Sequence, residues 1–119
     1  MSTHKRNDKA DRIKARLVKL LAEGVMIPGS IKKQWNVCGM PGCRCKDPDA
    51  PQKHGPYWQL SLTLAGRSTS MFVKNEEYEQ MLTATERYRR FKALSLELVQ
   101  AYVEKEREER RSRKRRKKV

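Results

Sequence analysis

The chain is poor in histidine, in cysteine, in aromatic residues and in long apolar runs, and each shortage closes off a class of function. No apolar stretch approaches the roughly 20 residues that cross a bilayer, and no hydrophobic segment follows the charged N-terminus. A membrane protein is therefore not expected, and the chain is expected in the cytoplasm. Of its 2 histidines, His4 sits in a terminus expected to be disordered, so Ser30, Ser68, Ser70 and Tyr57 have no second histidine to serve as base. There is no glycine-rich phosphate cradle and no pair of carboxylates on a common helix face. An enzyme is not expected. Aromatic residues make up 7% of the chain, so composition alone demands no stacking platform for single-stranded nucleic acid. The 3 cysteines cannot all pair as disulfides, and Cys43 and Cys45, one residue apart, would form a strained bridge.

The cysteines are instead concentrated with His54 where turn residues are densest, in Cys38-Gly39-Met40-Pro41-Gly42-Cys43-Arg44-Cys45 and then His54-Gly55-Pro56-Tyr57. Thiolate sulfur and imidazole nitrogen are the ligands zinc prefers, and four of them in a short loop match one tetrahedral ion. Glycine and proline beside the ligands let the backbone turn tightly around a metal. Cys38, Cys43, Cys45 and His54 are thus the candidate ligands of a structural Zn2+, although iron also occupies thiolate sites. The competing interpretation is three free thiols and an ordinary loop histidine. Asp47 and Asp49, in Lys46-Asp47-Pro48-Asp49, are turn formers before they are ligands. Four protein ligands close the coordination sphere, whereas catalytic zinc keeps a position open.

The second positive feature is charge. A net +14 on 119 residues favours polyanionic partners. From Arg110 to Lys118 every residue but Ser112 is basic, and this block holds more than half of the net charge. Arg110, Arg111, Arg113, Lys114, Arg115, Arg116, Lys117 and Lys118 are expected to be disordered when free and to condense on nucleic acid. A solubilising tail or a patch for acidic protein or anionic lipid is the alternative. Arg44, Lys46, Lys53 and Arg67 are further candidate phosphate contacts, placed near the metal.

Periodicity supplies the framework. Ala10, Ile13, Leu17, Leu20 and Leu21 fall at helical spacing between Asp8, as cap, and Gly24, as stop, with Asp11 as the N3 carboxylate. Arg12, Lys14, Arg16 and Lys19 lie on the other face. Pro28-Gly29-Ser30 breaks the chain, and Ile31 to Val37 alternates as a strand with Ile31, Trp35 and Val37 on one side. Tyr57 to Leu64 and Arg67 to Val73 form a hairpin through Ala65-Gly66, with Trp58, Leu60, Leu62 and Leu64 turned to a helix and a polar, hydroxyl-rich opposite face. A second helix starts at Asn75 and carries Tyr78, Met81, Leu82, Tyr88, Phe91, Leu94, Leu98 and Tyr102 along one stripe with no breaker before the tail. It is long enough to pack on the first helix, or on the same helix of a second copy. The fold class expected is α+β: a small three-stranded antiparallel sheet with a zinc loop, flanked by a short N-terminal and a long C-terminal helix. Residues 1–7 are expected to be a disordered basic terminus, 8–103 a single domain, and 104–119 a charged helix end and tail.

The segments Gly29-Ser30-Ile31, Cys38 to Cys45, His54-Gly55-Pro56-Tyr57, Phe72-Val73 and Tyr88-Arg89-Arg90-Phe91 resemble an uncharacterised family of small prokaryotic zinc-loop proteins often met beside transposases and other mobile elements. The resemblance covers about Gly29 to Tyr102. It implies the metal loop and the order of elements, and carries no biochemical activity. Its setting favours DNA over RNA and a larger DNA-processing protein as partner. The function expected is a non-catalytic zinc-containing nucleic-acid-binding protein. A protein adaptor or homodimer acting through the long helix is the alternative, and a zinc-dependent enzyme the third.

Overall fold

Helix α1 (Asp8–Glu23) begins at Asn7, whose side-chain oxygen accepts from the Ala10 backbone N–H at 3.1 Å. The cap is thus Asn7 and not Asp8, because the first free N–H groups lie above the Asn7 amide, while Asp8 and Asp11 stand in the first turn and complement its dipole. The computed structural model describes residues 6–117; His4 and Lys118 lie outside the described residues. After α1 come β1 (Ser30–Asn36), β2 (His54–Leu64), β3 (Arg67–Val73) and α2 (Tyr78–Lys117), with short 3-10 turns at Arg44–Lys46 and Asn75–Glu77. The long helix therefore starts at Tyr78, one tight turn later than the Asn75 cap implied.

The chain forms two compact units, one of residues 26–86 and one of residues 6–25 with 87–117. In the second, Ala10, Ile13 and Leu20 of α1 are buried with Leu94 and Ala101 of α2, and Leu17, Phe91 and Leu98 pack around them. The helices run antiparallel: Lys9 meets Glu104 at 3.2 Å near one end, and Arg90 meets Glu23 at 3.2 Å near the other. Exposed pairs of this kind set register more than they add stability. Of the stripe expected on α2, Phe91, Leu94 and Leu98 are thus used within the chain. Leu21 of α1, expected in the core, is 53% exposed instead, being a quarter turn off the packed stripe.

In the other unit the sheet has the order β1-β2-β3, all antiparallel. The β2–β3 turn is Ala65-Gly66, both at positive φ (53° and 79°), as a two-residue hairpin turn with the correct twist requires. On one face Leu60 and Val73 are buried, and Trp58 stacks on Tyr78 of α2 with centroids 4.1 Å apart. Leu62 is half-buried. Leu64, expected on this buried face, is 61% exposed, because it sits at the turn opposite Arg67. The alternation expected through Val37 also fails: the β1–β2 register shifts between Gln34 and Asn36. The extra residue is on the β2 side, where three steps from Tyr57 to His54 face two from Gln34 to Asn36, and Trp35 and Val37, at the end of this irregular pairing, are each 52% exposed. At the other end of β1, Gly29 holds φ +111°, and a Cβ there would stand 2.3 Å from the Ser61 carbonyl oxygen. Only glycine allows that approach.

The basic block Arg110–Lys117 is helical, the final turns of α2, where a disordered tail was the expectation. Lys and Arg are good helix formers, no glycine or proline interrupts the run, and cations at a helix C-terminus complement its dipole. Arg110 also reaches back one turn to Glu106 at 2.9 Å. Among the described residues no helix is long and apolar enough to cross a membrane.

Candidate metal centre

The sheet register builds the site. Asn36 of β1 pairs with His54 of β2, so the strand pair brings both ends of the intervening loop together and leaves Cys38 just beyond β1 beside the first residue of β2. The loop between them is closed by its own backbone. Lys46 N–H donates to Cys43 O at 3.0 Å, and Gln52 N–H donates to Arg44 O at 2.9 Å. Asp47 accepts from the Asp49 N–H at 2.9 Å, the turn-forming role its sequence setting suggested. The tight turn Arg44–Lys46 buries Cys45, which is 2% exposed.

Within this frame the sulfurs of Cys38 and Cys45 lie 3.6 Å apart, and Cys43 Sγ lies 3.2 Å from His54 Nε2. All four donor atoms fall within 4.8 Å of one another. Ligands around a tetrahedral zinc ion, with Zn–S near 2.3 Å, stand roughly 3.5–3.8 Å apart. The observed spacings bracket that range, so the four side chains fit a metal ion with small rotamer adjustments. They do not form disulfides: all three cysteines are free. The Cys38 N–H also points at Cys45 Sγ, 3.4 Å away. Such outer hydrogen bonds orient a thiolate ligand and spread its charge.

The electrostatics suit thiolate ligation. Cys43 is lowered to about 6, chiefly by the Cys45 backbone N–H and then by the Cys38 thiol. Cys38 is lowered chiefly by the Met40 backbone N–H. Cys45 is raised, because burial strips solvent from its charged form, and His54 is raised by its contacts with the Cys38 and Cys43 sulfurs. A cation among the four donors would favour the thiolate of Cys45 and the neutral imidazole of His54, reversing both shifts.

The match to a family model runs over residues 6–83, which is most of the chain: α1, the loop, the sheet and the first turn of α2. The chain belongs to the family described as a domain of unknown function (DUF6788). No curated protein and no solved structure matches it. The four-donor cluster lies inside the DUF6788 match, whereas the greater part of α2, including Tyr88 to Phe91 and the basic block, lies beyond it.

The basic candidates fall in both units. Arg44, Lys46 and Lys53 are exposed on the loop that carries the cysteines. Arg67 is not near the metal donors, contrary to expectation. It pairs with Leu64 at the far end of β2 from His54, about 30 Å along the strand at the usual rise. Arg110 to Lys117 belong to the helical unit, where Arg110 and Arg113 both reach Glu106 and Arg116 donates to Ser112. Tyr57, Phe72 and Met40 beside the loop were not singled out from the sequence as site residues. The signal that could have found them is the two-residue hairpin turn, which sets Phe72 opposite Gln59.

Proposed function

We propose that this protein is a non-catalytic zinc-containing nucleic-acid-binding protein of the cytoplasm, with DNA preferred over RNA, serving as an accessory to a DNA-processing enzyme of mobile elements. The observation that carries this reading is the helical basic block Arg110–Lys117 on a chain of net charge +14, in a protein whose loop brings four potential metal donors within 4.8 Å of one another. Zinc is proposed from the donor chemistry, three thiols and one imidazole. Its role is to fix the loop and present Arg44, Lys46 and Lys53, while the block supplies electrostatic affinity. Phosphate contacts of this sort position a protein without reading sequence. The choice of DNA rests on the setting of the resembled mobile-element proteins.

Fluorescence anisotropy of a labelled duplex at low and at physiological salt tests the reading. Binding is expected at low salt and is expected to weaken steeply as salt rises, since each neutralised phosphate adds about −0.9 to the log–log slope. No binding at low salt overturns it.

A second reading, self-association, has its own observation. On α2, Leu96, Val99 and Val103 are exposed by 60%, 55% and 44%, and on α1 Val18 and Leu21 by 67% and 53%. Leu96, Val99 and Val103 recur at three- and four-residue steps, an apolar stripe on α2 turned to solvent in addition to its packed one, and Val18 and Leu21 stand three residues apart on α1. The stripe that the adaptor alternative would have used, through Phe91, Leu94 and Leu98, is packed within the chain. A dimer through the exposed stripes would place two basic helix ends on one duplex and raise avidity. Sedimentation velocity is expected to show a dimer that Val99→Glu converts to monomer; a wild-type monomer at tens of micromolar sinks this reading.

A further inference from the structure

We propose that the solvent face of the sheet beside the metal loop is a stacking platform for the unpaired bases of single-stranded nucleic acid. The inference rests on the nucleic-acid reading above and names the form of nucleic acid this face would take. The register places Tyr57 and Gln59 of β2 on one face with Phe72 of β3, opposite the face that buries Leu60 and Val73. Phe72 is 63% exposed and Tyr57 37%. Their rings meet edge to face, centroids 6.0 Å apart at 62°, so Phe72, the more exposed, is the primary stacking surface. A groove of about 920 Å³ is lined by these rings and by residues of the metal loop, Met40 among them.

Two exposed large aromatics on a small sheet are costly in water unless something covers them. Charge decides what kind of occupant fits. Lys32 lies on the same face, paired with Gln59, and Gln34 is paired with Tyr57. Lys74 follows two residues after Phe72 in extended backbone and is exposed. None of the paired strand positions on this face is acidic. Aromatic rings flanked by lysines and amide side chains match bases strung on a phosphate backbone: rings stack on bases of any sequence, ammonium groups meet phosphates, and amides reach base edges. A duplex keeps its bases stacked internally and would gain nothing from the rings. Although aromatics are few in the chain, the pairing of β2 with β3 gathers two of them at one exposed place.

The test compares a labelled short oligothymidylate with a duplex of the same length, both titrated at low salt with wild type, Phe72→Ala and Phe72→Trp. Zinc content and thermal melting are measured on each variant to show that the fold persists. Phe72→Ala is expected to weaken oligothymidylate binding about tenfold or more while leaving duplex binding within about twofold, and Phe72→Trp to restore single-strand binding. If Phe72→Ala affects neither probe, or both equally, the platform is overturned while duplex binding still supports the basic-block reading. A change of oligomeric state in Phe72→Ala would assign the face to a second copy of the chain and also overturn the platform. No binding of either probe overturns both readings.

Discussion

Cys43→Ser is expected to drop the zinc content of the purified protein from about one ion per chain to near zero after dialysis, and to abolish the cooperative melting of the unit formed by residues 26–86. The physical argument is the size of that unit's core. Its fully buried apolar side chains are few, with Leu60, Val73, Ala84 and Cys45 among them, and small domains bury proportionally little surface. Structural zinc contributes on the order of 10–16 kcal/mol in zinc-finger peptides, against a typical net domain stability of about 5–15 kcal/mol. Loss of one of four ligands therefore removes a contribution comparable to the whole stability. Serine leaves a weaker oxygen ligand and exposes the neighbouring thiolates to one another without the cation. The packing of α1 on α2 does not involve the cluster residues, so much of the far-UV helical signal is expected to persist. Chelation of the wild-type protein should reproduce the effect, and added zinc should reverse it. Unchanged zinc stoichiometry with an unchanged melt would sink the four-ligand centre.

Removal of residues 110–119 is expected to have the largest effect on nucleic-acid affinity. Residues 110–119 hold more than half of the net charge, and the helical part, Arg110–Lys117, displays its charges all around its axis. Arg110 and Arg113 share Glu106, so Arg111, Lys114, Arg115, Arg116 and Lys117 are the side chains best placed to contact phosphates. If about five do so, the log–log salt slope on duplex DNA falls by about 4 to 5, and low-salt affinity by about two orders of magnitude or more. Zinc content and the melting of the sheet unit should not change. A truncated protein that binds duplex with the wild-type slope would remove the block from the mechanism and leave the affinity to Arg44, Lys46 and Lys53. Because a helical block enters binding already ordered, it also loses less conformational entropy than a flexible tail would.

Much of this architecture is legible from local pattern. The α1 stripe of Ala10, Ile13 and Leu20, the hairpin at Ala65-Gly66 and the order of elements follow from periodicity and turn chemistry. The four candidate donors were legible from residue type and spacing, and the structure brings them within 4.8 Å of one another. What failed did so at points where a distant strand or helix decides. Trp35 and Val37 were placed on a regular face, but the pairing of β1 with β2 becomes irregular beyond Gln34 and both are half exposed, and where a partner strand stops covering a face leaves no mark in a strand's own alternation. Leu64 continues the apolar period of β2 and is nevertheless exposed, because burial depends on what lies across from a residue and not on its own polarity. The basic block was expected to be disordered on grounds of self-repulsion, yet helix propensity, an unbroken run and the dipole outweigh it.

The sequence by itself determined the chemistry of this protein: four soft donors, a basic excess concentrated at one end, and residues suited to a helix, a hairpin and a long helix. Those properties are local, set by side-chain type and covalent spacing. Tertiary structure alone decided which side chains share a place. The Asn36–His54 pairing converts a loop into a cluster of donors within 4.8 Å. The β2–β3 register sets Tyr57 and Phe72 together in solvent and sends Arg67 to the opposite end of the hairpin. Proximity between residues far apart in sequence is fixed by register, and a shift of one residue would turn every one of these side chains to the other face.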